Sequence, residues 1–172
     1  IVALDTDAGR LERGGARIRR AGIHNIERVA VSGDWGTKRY RGKFDRVVID
    51  APCSGSGTWR RQVDVRWRTD AATLARLHDA QASLLEKGRS MLAPGGRIVY
   101  ITCSVLRSEG EAQIERLMQD APELEIANIA EIWRDVIGED AMPPVSDGML
   151  RLLPGRDGTD GFFMAVLQSR LR

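Results

Sequence analysis

Two short apolar runs in this chain each end abruptly in a polar segment that carries a cysteine. Residues 47–49 run into Asp-Ala-Pro-Cys at 50–53, and residues 98–101 run into Thr-Cys-Ser at 102–104. Both runs are typical of buried strands in a parallel sheet. Because open α/β sheets bind ligands at the carboxyl ends of their strands, we expect the only two cysteines of the chain to share one site.

Strand and helix patterns alternate along the rest of the chain, which predicts an α/β fold. Helices are expected over about 8–20 and 70–91, and a third is expected to open at a Ser-Glu-Gly-Glu capping box at 108–111. Residues 93–96 are expected to form a turn into the 97–101 strand. Further strands are expected at 1–5, 28–31 and 124–129, and the strands 149–153 and 162–167 are expected to form a closing antiparallel hairpin.

Length and composition place the chain among folded globular proteins. Its 172 residues predict a single domain over 1–172, with 42% apolar and 29% charged residues. Two cysteines without a short spacing exclude a zinc ribbon, and two histidines argue against a protein-built metal site. No apolar run has membrane-span length, and there is no signal peptide. We therefore expect no metal, no membrane partner and a reducing, cytoplasmic setting.

Acidic residues follow three successive predicted strands. Asp5 and Asp50 end two of them and Asp34 follows the third. A carboxylate can accept hydrogen bonds from both hydroxyls of a ribose, and a second carboxylate at the end of the next strand can accept from an adenine amino group. Each acid alone has a structural alternative as a helix cap or turn residue. Together, Asp5, Asp34 and Asp50 predict a pocket for an adenosine-bearing cofactor.

The two cysteines have a structural and a chemical interpretation. A cysteine in an intracellular protein often packs as a small apolar side chain. Cys53 and Cys103 instead follow strand ends and are flanked by small polar residues. A thiolate attacks electron-poor carbon, and this position strengthens the interpretation as a nucleophile while the packing alternative stays open.

A basic and aromatic stretch follows the first cysteine. Residues 59–68 include Arg60, Arg61, Arg66 and Trp67. They fit a solvated loop, and they equally fit phosphate contacts with base stacking, as binding of single-stranded RNA requires. Composition alone leaves these alternatives open, since the formal net charge of the chain is only +2.

Several motifs together resemble the Sun/Nol/Nop family of RNA cytosine-5 methyltransferases, and most closely its bacterial small-subunit ribosomal RNA type. The segments that carry the resemblance are 50–58, 60–61, 64–67, 94–96, Tyr100, 102–105 and 158–163. The resemblance covers nearly the whole chain. It implies a Rossmann-like class I methyltransferase sheet with an antiparallel strand near the C-terminus.

The resemblance also implies an activity and roles for individual residues. The enzyme would transfer a methyl group from S-adenosyl-L-methionine to C5 of a cytidine in RNA, with ribosomal RNA as the expected partner. Cys103 would attack C6 of the base and Cys53 would help to resolve the adduct. Asp50 would contact the cytosine N3 and amino edge and border the cofactor. Asp5 and Asp34 would bind its ribose and adenine, and Arg60, Arg61, Arg66 and Trp67 would contact RNA.

Part of the family pattern is missing from the sequence. The family carries a first strand and a glycine-rich cofactor loop upstream of the strand that opens this chain. We therefore expect an N-terminally truncated catalytic domain that is inactive alone.

Two other functions remain open. One is methylation of an exocyclic amino group, which needs no thiol. The other is a non-catalytic RNA-binding module that retains the fold.

Overall fold

The computed structural model describes residues 1–32, 37–138 and 144–170. The chain divides into two compact units, Ile1–Arg39 and Tyr40–Arg172. Each unit is described below by itself, and the single domain over 1–172 stays a prediction. Asp34 lies outside the described residues.

The first unit consists of two parallel strands and one helix. They are β1 (Val2–Asp5), α1 (Ala8–Arg20) and β2 (Glu27–Ala30). The carboxylate of Asp7 accepts a hydrogen bond from Arg10 N at 3.0 Å and caps α1, as the sequence predicts for a helix over 8–20. Gly15 lets the Arg28 side chain lie against the helix, where it donates to the carbonyl of Leu11.

The second unit holds the larger sheet. Its strands are β3 (Phe44–Asp50), β4 (Leu92–Thr102), β5 (Leu124–Ile126), β6 (Val145–Ser146), β7 (Met149–Leu152) and β8 (Phe162–Ser169). A single helical turn, α2 (Thr37–Tyr40), contains the boundary between the two units in the sequence. The order is β3-β4-β8-β7-β6, with β5 also pairing with β8. β3 and β4 are parallel, and the other pairs in this sheet are antiparallel. The predicted C-terminal hairpin is confirmed as β7–β8.

Helices cover this sheet and close its core. They are α3 (Val65–Arg68), α4 (Ala71–Met91), α5 (Glu111–Asp120), α6 (Ile129–Val136) and α7 (Pro154–Asp157). Leu85 of α4 and Ile114 of α5 belong to the same buried cluster as Ile98, Tyr100 and Phe163 of the sheet. Because these side chains are removed from water, α4 and α5 are fixed against the strands that carry both cysteines.

One local prediction was wrong. The predicted capping box at 108–111 does not cap α5, which starts at Glu111 with Gly110 at its N-cap and no side-chain cap. The Glu111 carboxylate is instead paired with Arg151.

The segment 93–96, predicted as a turn, lies within the bounds of β4 but interrupts its pairing with β3. Phe44 pairs with Leu92 and Arg46 pairs with Arg97, so the four residues between Leu92 and Arg97 leave the register, and Gly95 has a φ of 70°.

No helix within the described residues combines the length and the apolar character needed to cross a membrane.

Candidate active site

The register of the two parallel strands brings the cysteines together. Asp50 of β3 pairs with Ile101 of β4, and Ala51 N continues the pairing by donating to the Ile101 carbonyl at 3.0 Å. Both chains then leave the same edge of the sheet into loops that carry Cys53 and Cys103. Their Sγ atoms lie 3.2 Å apart, and both side chains are half-buried.

The two thiols differ in acidity because they are hydrogen-bonded to each other. The two sulfurs share a hydrogen bond in which either can be the donor. With Cys53 as the donor, this bond lowers the pKa of Cys103 from 9.0 to about 7. The same bond, together with burial, raises the pKa of Cys53. Burial and the charges of Asp50 and Glu109 oppose the lowering at Cys103 but do not cancel it. A pKa of about 7 gives Cys103 a larger thiolate fraction near neutral pH than an ordinary cysteine has.

Both cysteine loops are attached to one buried carboxylate, that of Glu109. Its Oε1 accepts from Ser54 N at 2.8 Å and from Gln81 Nε2 at 3.1 Å. Its Oε2 accepts from the hydroxyls of Ser54 at 2.5 Å and Ser104 at 2.6 Å. Ser54 and Ser104 directly follow the two cysteines, so a single side chain joins both loops.

A second attachment runs through the backbone of Gly57. Gly57 N donates to the Cys103 carbonyl at 3.0 Å, and Gly161 N donates to the Gly57 carbonyl at 2.8 Å. A Cβ at Gly57 would stand 2.3 Å from the Gly161 oxygen, so a side chain does not fit there. The segment before β8 is thereby held against both cysteine loops.

The predicted RNA-binding residues fall into two groups. Arg61 Nε donates to Asp160 at 2.6 Å, and Arg60 lies 3.8 Å from the same carboxylate. Asp160 is the main cause that raises the pKa of Arg61, and the charge of Cys103 adds a smaller contribution. Asp160 directly precedes Gly161, whose N–H is bonded to Gly57 of the Cys53 loop, so the carboxylate that holds both arginines is attached to that loop.

The second group forms an exposed aromatic surface. The Arg66 guanidinium lies 4.9 Å from the Trp67 ring centroid and 6.0 Å from that of Trp59. The Trp67 side chain is 80% exposed. A cation between two rings, with one ring open to solvent, offers a face on which a base can stack.

The predicted cofactor residues have unequal support from the structure. Asp5 ends β1, and its Oδ1 accepts from Asp7 N at 2.9 Å, while its Oδ2 lies 3.3 Å from Arg10 Nη1. Its orientation is thus fixed, and a carboxylate has further lone pairs that can accept from ribose hydroxyls. Asp50 is exposed at the end of β3. The cofactor roles of these two carboxylates stay predictions, and Asp34 lies outside the described residues.

Sequence reasoning missed Glu109, Gln81 and the Gly57–Gly161 contact. Glu109 sits in a segment whose local pattern also fits a helix cap, and nothing in that pattern shows that its side chain is buried. The one available signal is indirect, since a serine follows each cysteine and paired hydroxyls near a strand end need an acceptor.

Comparisons with known proteins identify the fold and the family. A crystal structure of a methyltransferase homolog protein from Pyrococcus horikoshii is 30% identical and superposes with a TM-score of 0.74, over 98% of this chain and 53% of that one. A structure of NSun6 from Pyrococcus horikoshii with SFG shares the fold, at 19% identity and a TM-score of 0.75, over 100% of this chain and 42% of that one. The predicted fold is confirmed: it is that of the class I S-adenosylmethionine-dependent methyltransferases.

The family follows from sequence comparison. Residues 1–168 match the family described as 16S rRNA methyltransferase RsmB/F, and the chain belongs to that family. The probable ribosomal RNA small subunit methyltransferase B of Synechocystis is 37% identical over 98% of this chain. The chain spans 37% of the length of that relative. The predicted cofactor, S-adenosyl-L-methionine, is confirmed at the level of the family.

Proposed function

We propose that this chain carries the catalytic centre for methylation of cytosine C5 in RNA, with Cys103 as the nucleophile. The observation that carries the proposal is the contact between the two thiols, which lowers the pKa of Cys103 to about 7. Cytosine C5 is too weak a nucleophile to take a methyl group unaided. A thiolate that adds to C6 makes C5 nucleophilic, and covalent catalysis of this kind needs an activated thiol.

In the first step the Cys103 sulfur forms a bond to C6 of the target cytosine. The electron pair of the C5–C6 double bond moves towards C4 and N3, and N3 takes up a proton from water, which it releases again when that double bond is restored. Asp50, exposed at the end of β3, is proposed to accept hydrogen bonds from N3–H and the amino group. The target base must leave its stack for its ring face to reach the thiolate.

S-adenosyl-L-methionine, when bound, supplies an electrophilic methyl group for C5. Asp5 is proposed to accept from its ribose hydroxyls and Asp50 to border it, and Asp34 keeps its predicted role with the adenine amino group. The fixed orientation of the Asp5 carboxylate supports the first of these roles.

In the last step the C5 proton leaves and the C6–S bond breaks. Its electron pair returns to the Cys103 sulfur, and the C5–C6 double bond is restored. Cys53 is proposed to assist this elimination, because its raised pKa keeps it protonated beside the departing sulfur. The balance is RNA plus methyl donor giving methylated RNA, demethylated donor and one proton.

Ribosomal RNA is the proposed substrate, and the exposed Trp67 and Arg66 surface is proposed to stack against its unpaired bases. The relative from Synechocystis is named for the ribosomal small subunit. Arg60 and Arg61, which both lie against the Asp160 carboxylate, are proposed to contact the backbone of the flipped nucleotide.

Nucleoside analysis tests this function against its main alternatives. The natural gene product would be incubated with isotopically labelled methyl donor and unmethylated small-subunit RNA, and the RNA then digested and analysed by mass spectrometry. We expect labelled 5-methylcytidine, which disappears in Cys103→Ser. Label on the exocyclic amino group would identify an amino-methyltransferase. Binding of RNA and donor without any transfer would identify a non-catalytic module.

A further inference from the structure

Glu109 is an acid in the interior whose partners come from three separate parts of the chain. Its side chain is 0% exposed. It accepts from Ser54 after β3, from Gln81 of α4 and from Ser104 after β4. Hydrogen bonds to an ionised carboxylate are short and strong, and a buried one requires all its donors. A residue that only capped a helix would have no such set of partners.

These hydrogen bonds fix each cysteine through the residues next to it in the chain. Gln81 Nε2 also donates to the Pro52 carbonyl at 2.9 Å, so the residues before and after Cys53 are both fixed. Cys103 is fixed in two ways: the hydroxyl of the next residue, Ser104, donates to Glu109, and the Cys103 carbonyl accepts from Gly57 N. The hydroxyls of Ser56 and Ser104 lie 3.0 Å apart and complete the link between the two loops.

We propose that Glu109 is the positioning residue that keeps the two cysteines at contact distance. The catalytic meaning of this inference rests on the proposed function, because the thiol contact matters for turnover only if Cys103 is the nucleophile. The geometric claim does not depend on it and is testable without RNA or methyl donor.

Glu109 has two opposite influences on Cys103. By holding the loops it preserves the hydrogen bond from Cys53, which is the largest cause of the lowered Cys103 pKa. Its own negative charge raises that pKa, as a smaller contribution. A Glu109→Gln variant keeps the size of the side chain and removes the charge. A rise in the Cys103 pKa would therefore report lost positioning, and a fall would report only a lost charge.

The experiment measures both thiols in the purified chain. The rate of iodoacetamide alkylation at Cys103 is followed against pH by mass spectrometry. In parallel, oxidised glutathione is used to form the Cys53–Cys103 disulfide, in which the two thiols lose two protons and two electrons and two glutathione molecules are produced. Glu111→Gln is the matched control, because Glu111 is a nearby acid paired with Arg151 and bonded to neither serine.

We expect Glu109→Gln to raise the pH midpoint of Cys103 alkylation and to slow disulfide formation by about tenfold, equivalent to about 1.4 kcal/mol. Glu111→Gln should match the wild type in both. An unchanged or lowered midpoint with unchanged disulfide formation would overturn the inference.

If Glu109→Gln fails to fold, Ser54→Ala and Ser104→Ala provide the test, because each removes one hydroxyl donor to Glu109. Each should raise the pH midpoint of Cys103 alkylation by a smaller amount. If the thiols respond as expected but the protein forms no 5-methylcytidine, the proposed function is rejected and the positioning role of Glu109 stands.

Discussion

The Sγ atoms of Cys53 and Cys103 lie 3.2 Å apart, although 50 positions separate the two residues in the chain. The pairing of Asp50 with Ile101 makes this possible, because parallel strands end at the same edge of a sheet. At that distance one thiol stabilises the other as a thiolate. The pair therefore has the acidity of a coupled site rather than that of two separate cysteines.

The acidity of Cys103 is predicted to depend on Cys53. Alkylation of Cys103 by iodoacetamide should rise with pH around a midpoint of about 7 in the wild type, since the thiolate is the reactive form. Cys53→Ala removes the hydrogen bond that lowers this pKa, so the midpoint should move upward. The measurement is mass spectrometry of the modified peptide across the pH range. A midpoint that does not move in Cys53→Ala would show that the contact does not set the acidity.

The backbone contact between Gly57 and Gly161 is predicted to be essential for folding of the site. In Gly57→Ala the new Cβ would meet the Gly161 carbonyl at 2.3 Å. Moving the two backbones apart would break the hydrogen bond from Gly161 to Gly57 or the one from Gly57 to Cys103. Overpacking of this kind costs about 1–3 kcal/mol, and we expect about 2 kcal/mol in the free energy of unfolding. Denaturant titration measures it.

Gly155→Ala is the matched control for this substitution. Gly155 lies in α7, and a Cβ at this position would have no other atom within 4 Å. Its stability should stay within about 0.5 kcal/mol of the wild type. Equal stability of the two variants would refute the close packing of the three segments.

Trp67 is predicted to bind RNA without supporting the fold. Because its side chain is 80% exposed, Trp67→Ala should change the free energy of unfolding by less than about 0.5 kcal/mol. Loss of one base-stacking contact, worth about 1–3 kcal/mol, should weaken binding to single-stranded RNA by roughly tenfold. Fluorescence anisotropy with a labelled oligonucleotide measures this affinity. Val63→Ala, at a neighbouring position that is 73% exposed, should bind like the wild type, and equal weakening in both variants would argue against a stacking role.

The sequence was sufficient to predict that the two cysteines share one site, because the ends of strands can be recognised in it. An apolar run that stops at a polar segment marks the edge of a sheet, and this rule placed Cys53 and Cys103 together. Glu109 could not be found this way. Its neighbourhood fits a local helix cap, and only the folded chain shows that serines from two distant loops reach its carboxylate. The run at 93–96 contains Pro and Gly, which favour a turn, and the pairing between β3 and β4 is interrupted at these residues.

The most direct test of the account uses RNA that contains 5-fluorocytidine. Fluorine at C5 cannot leave as a proton, so the bond between the base and the nucleophile should persist. The natural gene product, methyl donor and the substituted RNA would be incubated at pH about 8.5, near the ordinary pKa of a cysteine. The products would then be analysed by intact mass spectrometry.

We predict a covalent protein–RNA species in the wild type and in Cys53→Ser, and none in Cys103→Ser. Formation of the species in Cys103→Ser, or its absence from a wild type with verified donor and RNA binding, would contradict Cys103 as the nucleophile.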